Sequence, residues 1–187
     1  NKKESPLTIE PMPEGRFVWM GTDTVAFEPK YRMPFGNKFK ATVKAGTKSP
    51  QGKALEKEFS WEFATPAPAV ESVTPYNGTR GQGVDIPITV RFNASMDPTA
   101  VLKAAKLTSS AGSVELKLAP ELLPAPKETG DPLIDEQNRI EWSRTVVLKP
   151  AQDLKKGTFY TLTLDKALTS KEGPMEMAAE FSSRFET

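Results

Sequence analysis

Three groups of side chains in this sequence have the chemistry to form a site, and the first group is acidic. Asp131, Asp135 and Glu136 stand close together in the chain and could gather a calcium ion, which binds several oxygen ligands. They lack the spacing of an EF-hand loop, and they fall in a proline-containing stretch. Acidic residues in such stretches are usually solvated, so we predict no metal site here.

Tryptophan forms the second group. Trp19, Trp61 and Trp142 could stack against sugar rings, because an indole offers a flat apolar face. Trp19 and Trp142 also occupy matching positions in the repeat described below. Shared packing accounts for matching positions more simply than a shared ligand does, so we expect all three indoles to cap a hydrophobic core.

The third group consists of amide and carboxylate side chains in short motifs. Asn77-Gly78-Thr79 and Asn93-Ala94-Ser95 match the N-glycosylation pattern, which also occurs often by chance. Asp97 follows a predicted strand and has no catalytic side chain to pair with. We therefore predict that the chain has no catalytic, cofactor-binding or metal-binding residues.

The composition excludes most catalytic classes. The sequence contains neither histidine nor cysteine. Histidine is the usual general base near neutral pH and the commonest metal ligand, while thiolate nucleophiles, zinc–cysteine sites and disulfides all require cysteine. We predict a protein that is not an enzyme and that needs no cofactor.

Charge and hydropathy exclude two kinds of partner. The 187 residues include 25 basic and 24 acidic side chains, for a net charge of +1. A nucleic-acid groove or an anionic membrane surface attracts proteins with a clustered positive excess. No apolar run approaches the roughly 20 residues that cross a bilayer. We predict no nucleic-acid partner and no direct membrane insertion.

A long-range repeat organises the chain, because residues 16–65 align with residues 139–187. The matching pairs are Trp19 with Trp142, Gly36 with Gly157, Phe39 with Tyr160, Gly52 with Gly173, Phe59 with Phe181, Phe63 with Phe185, and Thr65 with Thr187. In each copy, apolar and polar residues alternate at period two between turn signals. Such alternation predicts half-buried β-strands.

The predicted fold class is all-β, with tandem immunoglobulin-like β-sandwich domains of which the first is incomplete. Pro66-Ala67-Pro68-Ala69 is typical of a stiff linker, so the domains are placed at 1–66 and 67–187. The second domain has about seven predicted strands, which fits an Ig-like sandwich. It also carries a long loop at about 119–138, which either docks a neighbouring domain or is flexible.

The first domain corresponds only to the C-terminal half of the second. A few strands with one open face are rarely stable alone, so the missing strands either lie upstream in a longer chain or come from another chain. The sequence starts at Asn1 without the apolar segment of a signal peptide. We therefore expect a piece of a longer protein.

Several motifs resemble those of a known family. In the second domain they are Val73-Thr74-Pro75-Tyr76-Asn77-Gly78, Ile88–Asp97, Leu148-Lys149-Pro150, Tyr160–Leu164 and Phe181–Thr187. This pattern resembles bacterial Ig-like domains. In the first domain, Pro11–Trp19 and Phe59–Thr65 resemble tandem domains near the N-terminus of bacterial alpha-2-macroglobulin-like proteins.

The resemblance implies a non-catalytic structural segment of a bacterial protease inhibitor that is periplasmic or attached to the cell envelope. The thioester motif of that family contains cysteine and therefore lies outside this chain. The implied partners are neighbouring domains of the same parent chain and the proteases that the parent traps. Two alternatives stay open: a stalk or adhesive repeat of a cell-surface protein, and an accessory domain of a secreted glycosidase or protease.

Overall fold

The computed structural model describes residues 5–187, which divide into two compact units. The first unit ends at Pro66, and the second spans Ala67–Thr187. Most of the regular structure in both units is β-strand, which confirms the predicted all-β class. Over residues 5–187, no helix combines the length and the apolar character that a membrane span requires.

The first unit has two small antiparallel sheets. Its strands are β1 (Leu7–Glu10), β2 (Gly15–Met20), β3 (Thr24–Pro29), β4 (Lys38–Val43) and β5 (Phe59–Ala64). β4 lies between β1 and β5, while β2 and β3 form a hairpin. The core is small: Ile9, Phe39 and Ala41 are buried, and Phe17 and Phe27 of the hairpin pack against them.

The second unit is a sandwich of two four-stranded antiparallel sheets. Its strands are β6 (Val70–Thr74), β7 (Ile88–Phe92), β8 (Ala105–Ser109), β9 (Gly112–Val114), β10 (Leu116–Leu118), β11 (Thr145–Pro150), β12 (Phe159–Leu164) and β13 (Phe181–Glu186). One sheet has the order β10-β11-β7-β6, and the other has the order β13-β12-β8-β9.

The alternation of buried and partly exposed residues along β7 shows where the core of the second unit lies. Ile88, Val90 and Phe92 are at most 1% exposed, whereas Thr89 and Arg91 between them stay partly exposed. This is the period-two pattern of a strand with one buried face. Burying a side chain of this size stabilises the fold by about 1.5–3 kcal/mol relative to leaving it exposed. With three such side chains, β7 is the apolar centre of its sheet.

Two helices and a short turn connect these strands. α1 (Pro98–Ala104) begins at Asp97, whose carboxylate accepts a hydrogen bond from the Thr99 backbone N–H. α2 (Pro132–Trp142) lies between β10 and β11, and a single 3-10 turn spans Pro120–Leu122. Proline is favoured at the first position of a helix because its missing N–H would lack a helical partner there.

The structure corrects the prediction of a loop over 119–138. Residues from Pro132 onward are helical, because Asp131 caps the Leu133 and Ile134 N–H groups at the start of α2. The predicted match of Trp19 with Trp142 is also wrong in structural terms. Trp19 lies on strand β2, whereas Trp142 ends helix α2.

The two units nevertheless share strand registers. In the first unit Phe39 lies opposite Phe63, and in the second Tyr160 lies opposite Phe185. The pairing of Phe17 with Phe27 between β2 and β3 likewise corresponds to that of Leu118 with Leu148 between β10 and β11. Strands β1 to β5 therefore correspond, in order, to β8, β10, β11, β12 and β13.

A threonine at the end of each unit makes the same hydrogen bonds. The Thr65 hydroxyl donates to the Pro34 carbonyl at 2.7 Å and accepts from the Asn37 backbone N–H at 3.1 Å. Thr187 donates to the Lys155 carbonyl at 2.6 Å and accepts from the Thr158 N–H at 3.2 Å. In each unit, the hydroxyl thus links the end of the last strand to the turn that precedes the neighbouring strand, which is β4 in the first unit and β12 in the second.

We expect Thr187→Val to destabilise the second unit by about 1–3 kcal/mol, because the isosteric side chain leaves the partly buried Thr158 N–H and Lys155 C=O without the hydroxyl. Native-state hydrogen exchange of the β12 amides measures the change. The control is Thr163→Val, since the Thr163 side chain makes no hydrogen bond within residues 5–187. Equal exchange in the two variants would contradict a stabilising role for the Thr187 hydroxyl.

Candidate interaction site

The segment between β10 and β11, which we name the excursion (residues 119–144), is the largest departure from the sandwich. Hydrogen bonds fold it back on α2. The Asn138 side chain donates to the Lys127 carbonyl at 2.9 Å, and the Trp142 indole N–H donates to the Pro124 carbonyl at 2.8 Å. The excursion therefore has defined internal contacts.

The acidic residues considered for calcium serve the local structure of the excursion. Asp131 caps α2, and Glu136 pairs with Arg139 at 3.1 Å. Asp135 accepts hydrogen bonds from the backbone N–H and the hydroxyl of Thr129 and from the Gly130 N–H. Within residues 5–187, no three acidic side chains gather as ligands for a metal ion.

The hydrogen bonds to Asp135 affect its ionisation. Those from the Thr129 backbone and hydroxyl hold the pKa of the Asp135 carboxyl below its usual range. A carboxylate that accepts several hydrogen bonds is stabilised in its charged form. Ionised Asp135 thus holds Thr129 and Gly130 against the start of α2.

Four charged side chains from three segments form a closed network beside α2. Arg144 donates to Glu141 and to Glu71, each at 2.7 Å. Arg91 lies 2.7 Å from Glu141 and 3.4 Å from Glu71. The Arg144 side chain is only 13% exposed, and its Nε–H also donates to the Phe92 carbonyl. This quartet joins α2 to β6 and β7.

Two opposing effects set the ionisation of Glu141. Burial acts to raise the pKa of Glu141, but hydrogen bonds from Arg144 and Arg91 outweigh burial and lower that pKa below its usual value. The stabilisation from the ionised form is therefore present above the unfolded-state pKa. It is lost as the pH falls through the lower, folded-state pKa.

Large apolar side chains are exposed on the excursion. Leu133 is 58% exposed and Ile134 is 47% exposed, and both lie in the first turn of α2. Leu122 of the 3-10 turn is exposed as well. Contiguous exposed apolar side chains are typical of interaction surfaces, so the excursion is the candidate docking element of the second unit.

A second apolar surface lies on β5 of the first unit. Phe59, Trp61 and Phe63 alternate along this edge strand, and all three are exposed. They lie opposite Val43, Ala41 and Phe39 of β4. We name these three residues the β5 aromatic strip. It is apolar but uncovered, which is unusual for the inward-facing positions of a sandwich.

The tryptophans do not all cap a core as predicted. Trp61 and Trp142 are about two-fifths exposed, at 41% and 38%, and Trp142 is held by its hydrogen bond to Pro124. Trp19 is half-buried, as the first unit has little core to cover it. The expectation of three packed indoles is therefore wrong for Trp61 and Trp142.

The short motifs have structural roles. The Asn77 side chain accepts a hydrogen bond from the Arg184 backbone N–H. The Asn93 side chain binds the chain before β6 by accepting from the Ala69 N–H and donating to the Ala67 carbonyl. At Asp97, hydrogen bonds from the Thr99 hydroxyl and backbone lower the pKa of the carboxyl, as expected for a helix cap.

Comparison with known families identifies the second unit. A profile of the family described as "Bacterial Ig-like domain" matches residues 64–187, the part of the chain that forms the two-sheet sandwich. The chain belongs to the bacterial Ig-like domain family. The predicted family and the predicted all-β, Ig-like sandwich fold are confirmed.

One curated relative aligns with both units of this bacterial Ig-like chain. It is an alpha-2-macroglobulin homolog from Nostoc sp. (strain PCC 7120), 25% identical over 186 residues, which is 95% of this chain. The chain spans about a tenth of the length of that relative, because the alignment covers 10% of it.

Solved structures give weaker likenesses. The L,D-transpeptidase LdtMt1 in complex with imipenem shares 20% identity (TM-score 0.38; 65% of this chain and 40% of that chain). L,D-transpeptidase 3 from Mycobacterium tuberculosis shares 21% identity (0.35; 64% and 37%). The N-terminal part of the bacterial S-layer protein SbsC shares 18% identity (0.37; 64% and 23%). Scores at this level carry no functional conclusion.

We expect Arg144→Ala to destabilise the Ig-like unit by about 2 kcal/mol, because the Phe92 carbonyl loses the Arg144 donor and the two carboxylates keep only Arg91 as a partner. Urea unfolding near neutral pH measures the loss. Arg139→Ala is the matched control, since it breaks a single exposed pair with Glu136 on the same helix and should cost at most about 0.5 kcal/mol.

The difference between wild type and Arg144→Ala should shrink as the pH falls below about 4, because protonated Glu141 no longer benefits from Arg144. A difference that stays constant down to acidic pH would contradict the assigned charge network.

Proposed function

We propose that this chain is a non-catalytic structural segment of a bacterial alpha-2-macroglobulin-like protease inhibitor. The observation that carries the proposal is the alignment of 95% of the chain, through both units, with the Nostoc alpha-2-macroglobulin homolog. The Ig-like sandwich of the second unit supports a structural role, since such sandwiches commonly serve as cell-surface modules.

Local chemistry plays no part in the proposed function. Of the acidic residues with shifted pKa values, Asp97 caps α1, Asp135 accepts hydrogen bonds from Thr129 and Gly130, and Glu141 pairs with arginine. The segment acts by holding neighbouring domains of the same parent chain at fixed positions. The exposed side chains of Leu133 and Ile134 on the excursion provide the apolar contact for such a neighbour.

The other proposed partners are those of the parent inhibitor. Proteases trapped by the parent would meet the inhibitor as a whole, and the segment would contribute spacing and orientation. The near-zero net charge gives no basis for binding nucleic acid. The proposed location is extracytoplasmic, in the periplasm or attached to the cell envelope, where a protease inhibitor meets foreign enzymes.

The test uses the native parent protein, isolated with antibodies against this chain and incubated with a protease. A trapped protease should keep its activity on a small peptide substrate and lose most of its activity on a large protein substrate, because the trap blocks access sterically. Equal activity on both substrates would contradict the inhibitor role. A parent built from many such domains would then favour the cell-surface stalk.

A paired substitution tests the role of the excursion in the same assay. We expect Leu133→Gln with Ile134→Gln to leave the unfolding free energy of the Ig-like unit within about 0.5 kcal/mol, because both residues are exposed. The same change in the parent should reduce the shielding of the protease. Gln137→Ala, an exposed polar position on α2, is the control, and equal shielding in both variants would refute docking through the excursion.

A further inference from the structure

Among the described residues of the first unit, from position 5 onward, three surfaces are uncovered, and each has a covered counterpart in the second unit. The shared registers pair β3 with β11, β4 with β12 and β5 with β13. The second unit therefore shows what covers each of these surfaces in a finished sandwich.

The first uncovered surface is one edge of β3. In the second unit, β11 bonds to β10 on one side and to β7 on the other, where Val146 lies opposite Val90. In the first unit β3 pairs with β2, the counterpart of β10. Within residues 5–187, no strand pairs with its other edge. Unpaired N–H and C=O groups on such an edge are a template for another strand.

The second uncovered surface is the outer edge of β5. The counterpart edge of β13 is covered by residues 77–82. There the Gly78 N–H donates to the Arg184 carbonyl at 2.7 Å, and the Glu186 N–H donates to the Thr79 carbonyl at 2.8 Å. In the described part of the chain, β5 pairs with β4 alone.

The third uncovered surface is the apolar interior. Phe63 of the β5 aromatic strip is 36% exposed, whereas its counterpart Phe185 is 2% exposed. Val25 of β3 is half-buried, whereas its counterpart Val146 is almost fully buried. Equivalent positions thus differ in burial because the second unit has further side chains opposite them.

A recess marks where those side chains would go. It has a volume of about 610 Å³ and is lined in part by Trp19, Val25 and Val43. These three side chains give the recess an apolar wall, which suits a segment that brings apolar side chains.

One contiguous segment covers all three counterpart surfaces in the second unit. Within residues 70–92, β7 pairs with β11, residues 77–82 cover β13, and Ile88, Val90 and Phe92 fill the interior. This segment precedes β8 in the chain, and β8 is the counterpart of β1. The same connectivity in the first unit puts the covering segment before β1.

We propose that the first unit is a docking surface for a strand–loop–strand segment on the N-terminal side of β1. Its second strand, with apolar residues at alternate positions, pairs with the open edge of β3 and fills the recess beside Trp19. Its loop covers the outer edge of β5 and so shields the β5 aromatic strip. The surface is completed within one polypeptide, as in the second unit.

Thiol labelling tests this directly, because the chain contains no cysteine. Val25→Cys places one thiol in the recess, and Lys40→Cys places a control thiol on the exposed, outward face of β4. The comparison rests on the proposed function, in which the chain is a segment of a longer parent. Both variants are labelled in the 187-residue chain and in that parent, where an extension on the N-terminal side would be present. We expect the extension to slow labelling at position 25 by about tenfold or more and to leave position 40 unchanged.

Every other outcome overturns the proposal. Equal labelling at position 25 in the two proteins means that the extension does not cover the recess. Slow labelling in the 187-residue chain itself, with a sedimenting dimer, means that a second copy supplies the covering strand. Slow labelling in a monomeric 187-residue chain means that the recess is closed without any added segment.

Discussion

Strand β7 is the element on which the Ig-like unit depends. It bonds to β6 on one edge and to β11 on the other, and it places Ile88, Val90 and Phe92 in the interior. On its outward face, Arg91 joins the quartet that holds α2. A sheet must have its apolar face covered and its edges paired or protected, and this strand meets both needs at once.

The same constraint explains why the two units differ although their registers match. The first unit has counterparts of five strands of the second, including the terminal threonine bonds made by Thr65 and Thr187. It lacks a counterpart of β7 among the described residues, and its aromatic strip is correspondingly exposed. Local sequence is thus enough to form the strands and turns, but burial depends on a non-local partner.

Alternation at period two predicted most strands of both units, because it reports directly on one buried face. Helix α2 was missed, since its apolar residues Leu133 and Ile134 face outward. Only the Asp131-Pro132 pair signalled its start, as a cap followed by a first-turn proline. The charge quartet could not be predicted, because Glu71, Arg91 and Glu141 come from three distant segments that only the tertiary fold brings together.

Residues with possible chemistry are thus used for structure in this protein. Asp97 and Asp131 cap helices, and Asn77 and Asn93 bond to the backbone of neighbouring segments. This pattern agrees with a segment whose role is to hold and present surfaces. The surfaces themselves, the excursion and the β5 aromatic strip, could be located only from the structure, because exposure at an apolar position is set by what lies across from it.

The most direct test of this account is hydrogen exchange of β3 and β11 within the 187-residue chain. The two strands occupy equivalent positions and differ in their pairing: β11 is paired on both edges, whereas β3, within residues 5–187, is paired only with β2. The account predicts that β11 amides exchange at least about a hundredfold more slowly than the β3 amides that point away from β2. Equal protection of the two strands would contradict it.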